Sequence, residues 1–113
     1  MSLLHRLTAS THNLDAAELE SEVERLPCAK LRDVEHGETT VVGGRVRSVT
    51  FTPTANVPML EAELFDGSCT IRLVWLGRRR IAGIEPGRKL LARGRIGVYN
   101  GEPAIYNPWY ELQ

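Results

Sequence analysis

The sequence has little cysteine, few aromatic residues and no long apolar run, and each shortage excludes a class of protein. Its two cysteines, Cys28 and Cys69, form no CxxC pair, which argues against a disulfide scaffold and leaves one Cys28–Cys69 disulfide open. The first residues lack the apolar run of a signal peptide, and no stretch approaches the roughly 20 apolar residues of a membrane span. We therefore expect a cytoplasmic protein that does not contact a membrane.

Motifs of known catalytic and cofactor sites are also missing. The histidines at positions 5, 12 and 36 are scattered and do not have the spacing of metal ligands. The chain contains no nucleophile elbow, no P-loop and no GxGxxG. These absences predict a non-catalytic protein with no metal, no cofactor and no small-molecule substrate.

Charge is balanced over the whole chain but unevenly distributed along it. The formal net charge is zero, with 14 basic and 14 acidic residues. Residues 1–40 hold eight acids and four bases, whereas residues 41–100 hold ten bases and four acids. This asymmetry favours a polyanionic partner for the basic part.

The front of the chain predicts an arm followed by a helix, in a protein of 113 residues that has room for one domain. Residues 1–13 are polar without a period, which predicts a flexible N-terminal arm. Residues 14–37 predict a helix to about Leu26 and a connector, with Pro27 ending the helix. The helix prediction depends on one apolar stripe formed by Ala16, Leu19, Val23 and Leu26.

A predicted hairpin over 59–75 organises the rest of the sequence. Apolar and polar residues alternate on both sides of Asp66-Gly67, a dipeptide that favours a hairpin turn. Upstream, a strand over 39–52 contains Gly43-Gly44, which indicates a bulge or sharp bend.

Two further strands are expected after Pro86-Gly87. The first runs over about 89–98, and Asn100-Gly101 predicts a type I′ turn into the second, over about 104–107. Pro108 then bends the chain. Five strands in this order predict a small closed or nearly closed barrel over 38–113, with the helix covering one open end.

Five short motifs in this order resemble the OB-fold, over about residues 38–110. The resemblance is closest to nucleic-acid-binding OB domains of the tRNA-anticodon-binding type. It extends to small stand-alone OB proteins of actinobacteria, which share a stretch similar to residues 73–81. The connector after the third strand departs from many OB domains because it lacks their full helix. The motifs are Val42–Val46, Glu63–Gly67, Ile71–Trp75, Pro86-Gly87 and Gly94–Ile96.

The resemblance implies a mainly β protein: a five-stranded OB-fold barrel with Greek-key topology and an N-terminal α-helix. It also implies binding of single-stranded DNA, or of RNA such as tRNA, with little sequence specificity. In OB-folds the ligand crosses the face of strands two and three. Cationic side chains there contact phosphates, and exposed aromatic rings stack on bases.

The strand face carries three arginines with two possible roles. Strand parity places Arg45, Arg47 and Arg72 outward, where they either contact phosphates or pair with Glu61 and Glu63 on the same face. Two carboxylates on a phosphate track are the strongest argument in the sequence against a binding face.

A run of consecutive arginines gives the sharpest basic cluster. Arg78, Arg79 and Arg80 follow the third strand with no acid among them. Such a run is either a solvated surface or a polyanion contact, and the second interpretation is favoured here.

The aromatic residues divide into stacking candidates and packing residues. Phe51, Phe65 and Tyr99 are expected at the strand face or beside its flanking loops, where they can stack on bases. Trp75 shares parity with core residues, whereas Trp109 and Tyr110 are expected to cover the end of the barrel.

A protein partner is the alternative to a nucleic acid. An adaptor that binds another protein through its barrel is favoured by the zero net charge and by Glu61 and Glu63. The basic strand region and the arginine run favour nucleic acid instead.

Overall fold

A computed structural model describes residues 3–53 and 56–113, with side chains described from residue 14 onward. The protein is mainly β, as predicted, with one helix and one short 3-10 turn in the described part. Its elements are α1 (Leu3–Glu24), the 3-10 turn (Leu31–Asp33), β1 (Thr39–Thr52), β2 (Met59–Phe65), β3 (Thr70–Leu76), β4 (Lys89–Arg95), β5 (Gly97–Tyr99), β6 (Glu102–Tyr106) and β7 (Trp109–Leu112).

The strands form one mixed sheet in the order β5-β6-β3-β2-β1-β4-β7. All neighbouring pairs are antiparallel except β3 and β6, which run parallel. Among the described residues no ladder joins the edge strands β5 and β7, so the sheet is not closed. β4 and β6 touch where Gly94 meets Ile105, without pairing.

The five-stranded, closed or nearly closed barrel that the sequence predicts is replaced by an open sheet of seven strands. The predicted strand over 89–98 is divided at Ile96. The backbone of Ile96 forms hydrogen bonds with the backbone of Gly37 and Glu38 instead of with a strand. The residues after it form a separate strand, β5, which pairs with β6. The second extra strand, β7, follows Pro108, where the sequence indicated an end. Proline interrupts a ladder only at its own position, and one residue later the chain begins to pair with a new partner, β4.

β1 is shared between two partners. Its first half pairs with β4 as far as Arg45↔Lys89, and its second half pairs with β2 from Arg45↔Phe65 onward. The register shifts at Arg47, so the bulge lies just beyond the glycine pair. Gly44 permits a close approach, since an added Cβ would lie 2.4 Å from the Phe65 carbonyl oxygen.

The two predicted hairpins are confirmed. β2 and β3 are antiparallel around Gly67, which has φ of 99°. β5 and β6 are joined by Asn100 and Gly101, both with positive φ as a type I′ turn requires.

The Asp66 carboxylate joins the β2–β3 turn to the 3-10 turn. Asp66 is only 3% exposed and accepts hydrogen bonds from the backbone N–H groups of Leu31 (3.0 Å), Ser68 (2.8 Å) and Cys69 (2.9 Å), and from the Ser68 hydroxyl (2.8 Å). Burial raises its pKa, but these donors together outweigh burial, and the pKa lies below the ordinary value. The structural role expected for Asp66 is confirmed.

Helix α1 lies over the β2–β3 turn. A Cβ on Gly67 would lie 2.5 Å from the Ala16 carbonyl oxygen of the helix. The helix side chains Leu19 and Val23 are buried. α1 begins inside the segment predicted as an arm, where no apolar period marks it, and the side chains of residues 3–13 lie outside the description. Nowhere in the described chain is a helix both long and apolar enough to cross a membrane.

The core cluster is formed by residues of the sheet, together with Leu31 of the 3-10 turn and Ile81 and Ile84 of the connector between β3 and β4. Its largest fully buried side chains include Leu64, Ile71, Leu73, Leu90 and Ile105. Trp75 is 5% exposed, which confirms its assignment to the core. Cys28 and Cys69 are both free thiols, so the disulfide left open by the sequence does not form.

Candidate nucleic-acid interface

The outer face of β2 and β3 is occupied by a charge cluster around Arg72. Its guanidinium lies 3.1 Å from a carboxylate oxygen of Glu61 and 3.1 Å from one of Glu102. Burial lowers the Arg72 pKa, but the two carboxylates outweigh it and raise the pKa overall. Glu61 is 8% exposed and depends on this partner. The ion-pairing interpretation of Arg72 and Glu61 is therefore the one that the structure shows.

Tyr99 belongs to the same cluster. Its ring centroid lies 6.0 Å from the Arg72 guanidinium carbon and 6.4 Å from the Tyr106 ring. A hydrogen bond with Glu61 raises the pKa of the Tyr99 hydroxyl. A base could stack on Tyr99 only by competing with these contacts.

Arg47 and Phe65 form a second group at the other side of this face. Arg47 lies 3.7 Å from a Glu63 carboxylate oxygen, and its guanidinium carbon lies 3.9 Å from the Phe65 ring centroid. The arginine therefore covers the ring on which a base was expected to stack.

Arg45 is the cross-strand neighbour of Phe65, whereas Phe51 lies further along β1, opposite Leu60. Arg45 has no ion pair with any residue that the structure describes. The Glu22 carboxyl has a lowered pKa because Lys89 donates a hydrogen bond to it and Arg45 adds positive charge nearby. Phe51 is 37% exposed near the end of β1. Of the predicted strand-face arginines, Arg47 and Arg72 are thus ion-paired and only Arg45 is not, so the face has no continuous basic track.

The arginine run has a different environment. Arg78, Arg79 and Arg80 lie in the connector between β3 and β4, and all three are exposed. None of them forms an ion pair within the described residues. The connector leaves β3 at Gly77, with φ of 76°, whose N–H donates to the Pro58 carbonyl at 2.7 Å.

A groove of about 550 Å³ lies beside Arg78. Trp75 and Tyr110 line it with their rings edge to face at 6.0 Å, and the Tyr110 hydroxyl donates to the Ala82 carbonyl at 2.6 Å. Trp109 also lines the groove and is 56% exposed. These contacts fix the aromatic wall of the groove next to an unpaired cation.

Sequence reasoning missed Trp109 as a candidate. The sequence predicts that Trp109 covers a barrel end, because Pro108 indicates the end of the last strand. The alternation of Trp109, Tyr110, Glu111 and Leu112 was the available signal, since exposure alternates along β7 as that pattern indicates.

The described residues contain no group of three or more His, Cys, Asp or Glu side chains able to hold a metal ion. The arrangement instead provides cations and an aromatic ring on one surface. In nucleic-acid-binding proteins generally, cations contact phosphates and exposed aromatic rings stack on bases.

One solved structure with a similar fold is RecG bound to a three-way DNA junction. The similarity has a TM-score of 0.64 and 26% sequence identity, and it covers 75% of this chain but only 12% of the RecG chain. No protein-family model and no curated protein sequence matches the chain. The likeness fits an OB-like fold for this chain.

Proposed function

We propose that this protein is a non-catalytic, OB-like module that binds single-stranded DNA or RNA, including tRNA, with little sequence specificity. The observation that carries the proposal is the exposed run Arg78–Arg80, which has no acidic partner in the described chain. Similarity to part of a DNA-bound protein supports the same conclusion. We further propose a cytoplasmic location, which the two free thiols support.

The physical basis is electrostatic. Guanidinium groups donate bidentate hydrogen bonds to phosphate oxygens, and phosphate neutralisation releases bound counterions. Cations already paired with carboxylates contribute less, because a ligand must displace their partners. Arg47 and Arg72 are paired in this way, so the proposal assigns the main phosphate contacts to the connector rather than to the strand face.

The test is fluorescence anisotropy of labelled single-stranded DNA, duplex DNA, three-way junction and tRNA at several salt concentrations. We expect binding that weakens steeply with salt. For single-stranded DNA, log K decreases with log salt, and this decrease should become less steep in Arg79→Ala/Arg80→Ala. The magnitude of the slope should drop by about 1.4, or about 0.7 per lost phosphate contact. The matched control is Arg25→Ala/Arg88→Ala, which removes two exposed arginines from a separate groove between α1 and β4.

Equal losses of affinity and of salt dependence in the two double variants would show that binding depends only on the overall charge of the protein. Failure of the unmodified protein to bind any probe at low salt would refute the proposed function.

The ion-paired strand face favours a second candidate, an adaptor that binds another protein. Glu61, Glu63 and Glu102 neutralise the arginines beside them, so this face is much less basic than the sequence indicated. The adaptor becomes the working function if no nucleic acid binds.

A further inference from the structure

We propose that the groove beside Arg78 is a base-binding subsite, in which an unstacked base of a single strand lies against Trp109. Arg78, Arg79 and Arg80 hold the neighbouring phosphates. The inference rests on the proposed nucleic-acid function and assigns it a ligand class and a place away from the strand face.

Trp109 has the properties of a stacking platform. It is the most exposed aromatic side chain among the described residues, at 56%. Its backbone is fixed as the first residue of β7, where it pairs with Arg93 of β4. Arg78 lines the same groove and is the cation beside it. A solvent-exposed indole on a paired strand, beside a cation, is suited to stacking on a base.

The groove also offers a hydrogen-bond donor. Asn107 lines it, and the Asn107 Oδ1 atom accepts the Leu76 N–H at 3.0 Å. This contact fixes the amide and leaves its Nδ2 group available to an acceptor on a base edge. The groove volume of about 550 Å³ lies within the range of small-molecule binding sites, so the groove is large enough to hold a base.

The ligand must be single-stranded, because base faces within a duplex are already stacked on each other. Of the three rings considered for stacking, two are engaged, and the third, Phe51, does not line the groove. Arg47 covers Phe65, and Tyr99 contacts Arg72 and Tyr106. Charge complementarity favours a polyanion over an apolar peptide as the occupant of the groove.

The test separates base stacking from charge. A Trp75→Phe protein has Trp109 as its only indole, and it is titrated with a short oligothymidylate and with an abasic oligomer of equal length. A matching oligouridylate arm distinguishes RNA from DNA. We expect quenching of Trp109 fluorescence by oligothymidylate and no quenching by the abasic oligomer.

In the otherwise unmodified protein, Trp109→Ala should weaken oligothymidylate binding about tenfold and leave abasic binding unchanged. Trp109→Phe keeps a ring and should retain most of the affinity. Phe65→Ala, which removes a ring from the strand face, should bind as the unmodified protein does. Circular dichroism confirms that each variant is folded.

Three results would overturn the subsite. These are equal quenching by both oligomers, unchanged oligothymidylate binding in Trp109→Ala, and a loss in Phe65→Ala instead. In each case the unmodified protein still binds, so the proposed function survives. If neither oligomer binds the unmodified protein at low salt, both proposals fail.

Discussion

Replacement of Asp66 should weaken the fold by an amount that its hydrogen bonds define. Asp66→Ala removes the acceptor of the buried Leu31 N–H and of the half-buried N–H groups of Ser68 and Cys69. A buried donor without a partner costs about 1–3 kcal/mol, and a partly hydrated one costs less. We therefore expect a loss of about 3–4 kcal/mol in the free energy of unfolding at pH 7. Asp66→Asn retains one carbonyl oxygen and should lose about half as much.

The effect should depend on pH in a defined direction. The native pKa of Asp66 lies below its ordinary value, so the stabilisation is complete above the unfolded pKa of about 3.9 and is lost as pH falls through the native pKa. Asparagine carries no charge at any pH. The free-energy gap between the unmodified protein and Asp66→Asn should therefore narrow below about pH 4.

Urea unfolding followed by circular dichroism, repeated from neutral to acid pH, measures both effects. Asp33→Asn is the control, since Asp33 is exposed on the 3-10 turn, and it should change stability by no more than about 0.5 kcal/mol. A gap of constant size at every pH would refute the reasoning, because the charged form of Asp66 would then contribute nothing.

Two further expectations concern packing and charge, both measured by urea unfolding. Gly44→Val places a Cβ about 2.4 Å from the Phe65 carbonyl oxygen, so it should cost at least about 2 kcal/mol, and full stability would contradict the close approach. Arg72→Ala leaves Glu61 buried without its cation and should cost about 2–3 kcal/mol. Glu102→Ala removes an exposed partner and should cost under about 1 kcal/mol, so equal losses would refute the role of burial.

The strands could be predicted where alternation and turn residues agree. β1 was expected over 39–52 and runs over Thr39–Thr52, and the hairpins around Gly67 and Gly101 were also anticipated. Alternation succeeds there because each strand has one face against the core. The strand end expected at Pro108 was wrong. A proline gives no information about pairing beyond its own position, and β7 pairs with β4, a distant part of the chain.

The candidate site was harder to predict than the fold. Parity placed Arg47 and Arg72 on the outer face but could not choose between a phosphate and a carboxylate as their partner. That choice depends on side-chain reach, and Glu102 comes from β6, 30 residues away along the chain. Arg78–Arg80 could be identified from sequence because no acid lies among them, whereas the groove beside them depends on how β7 returns to the sheet.

The strand order also has a consequence for synthesis of the protein. β1, β2 and β3 form early in the sequence as a meander, but their outer neighbours β4 and β6 begin only at Lys89 and Glu102. Until those residues leave the ribosome, the first half of β1 and the whole of β3 present unpaired backbone edges. A nascent chain at this stage can pair with another copy of itself, so we expect slow translation after Leu76 to favour aggregation over folding.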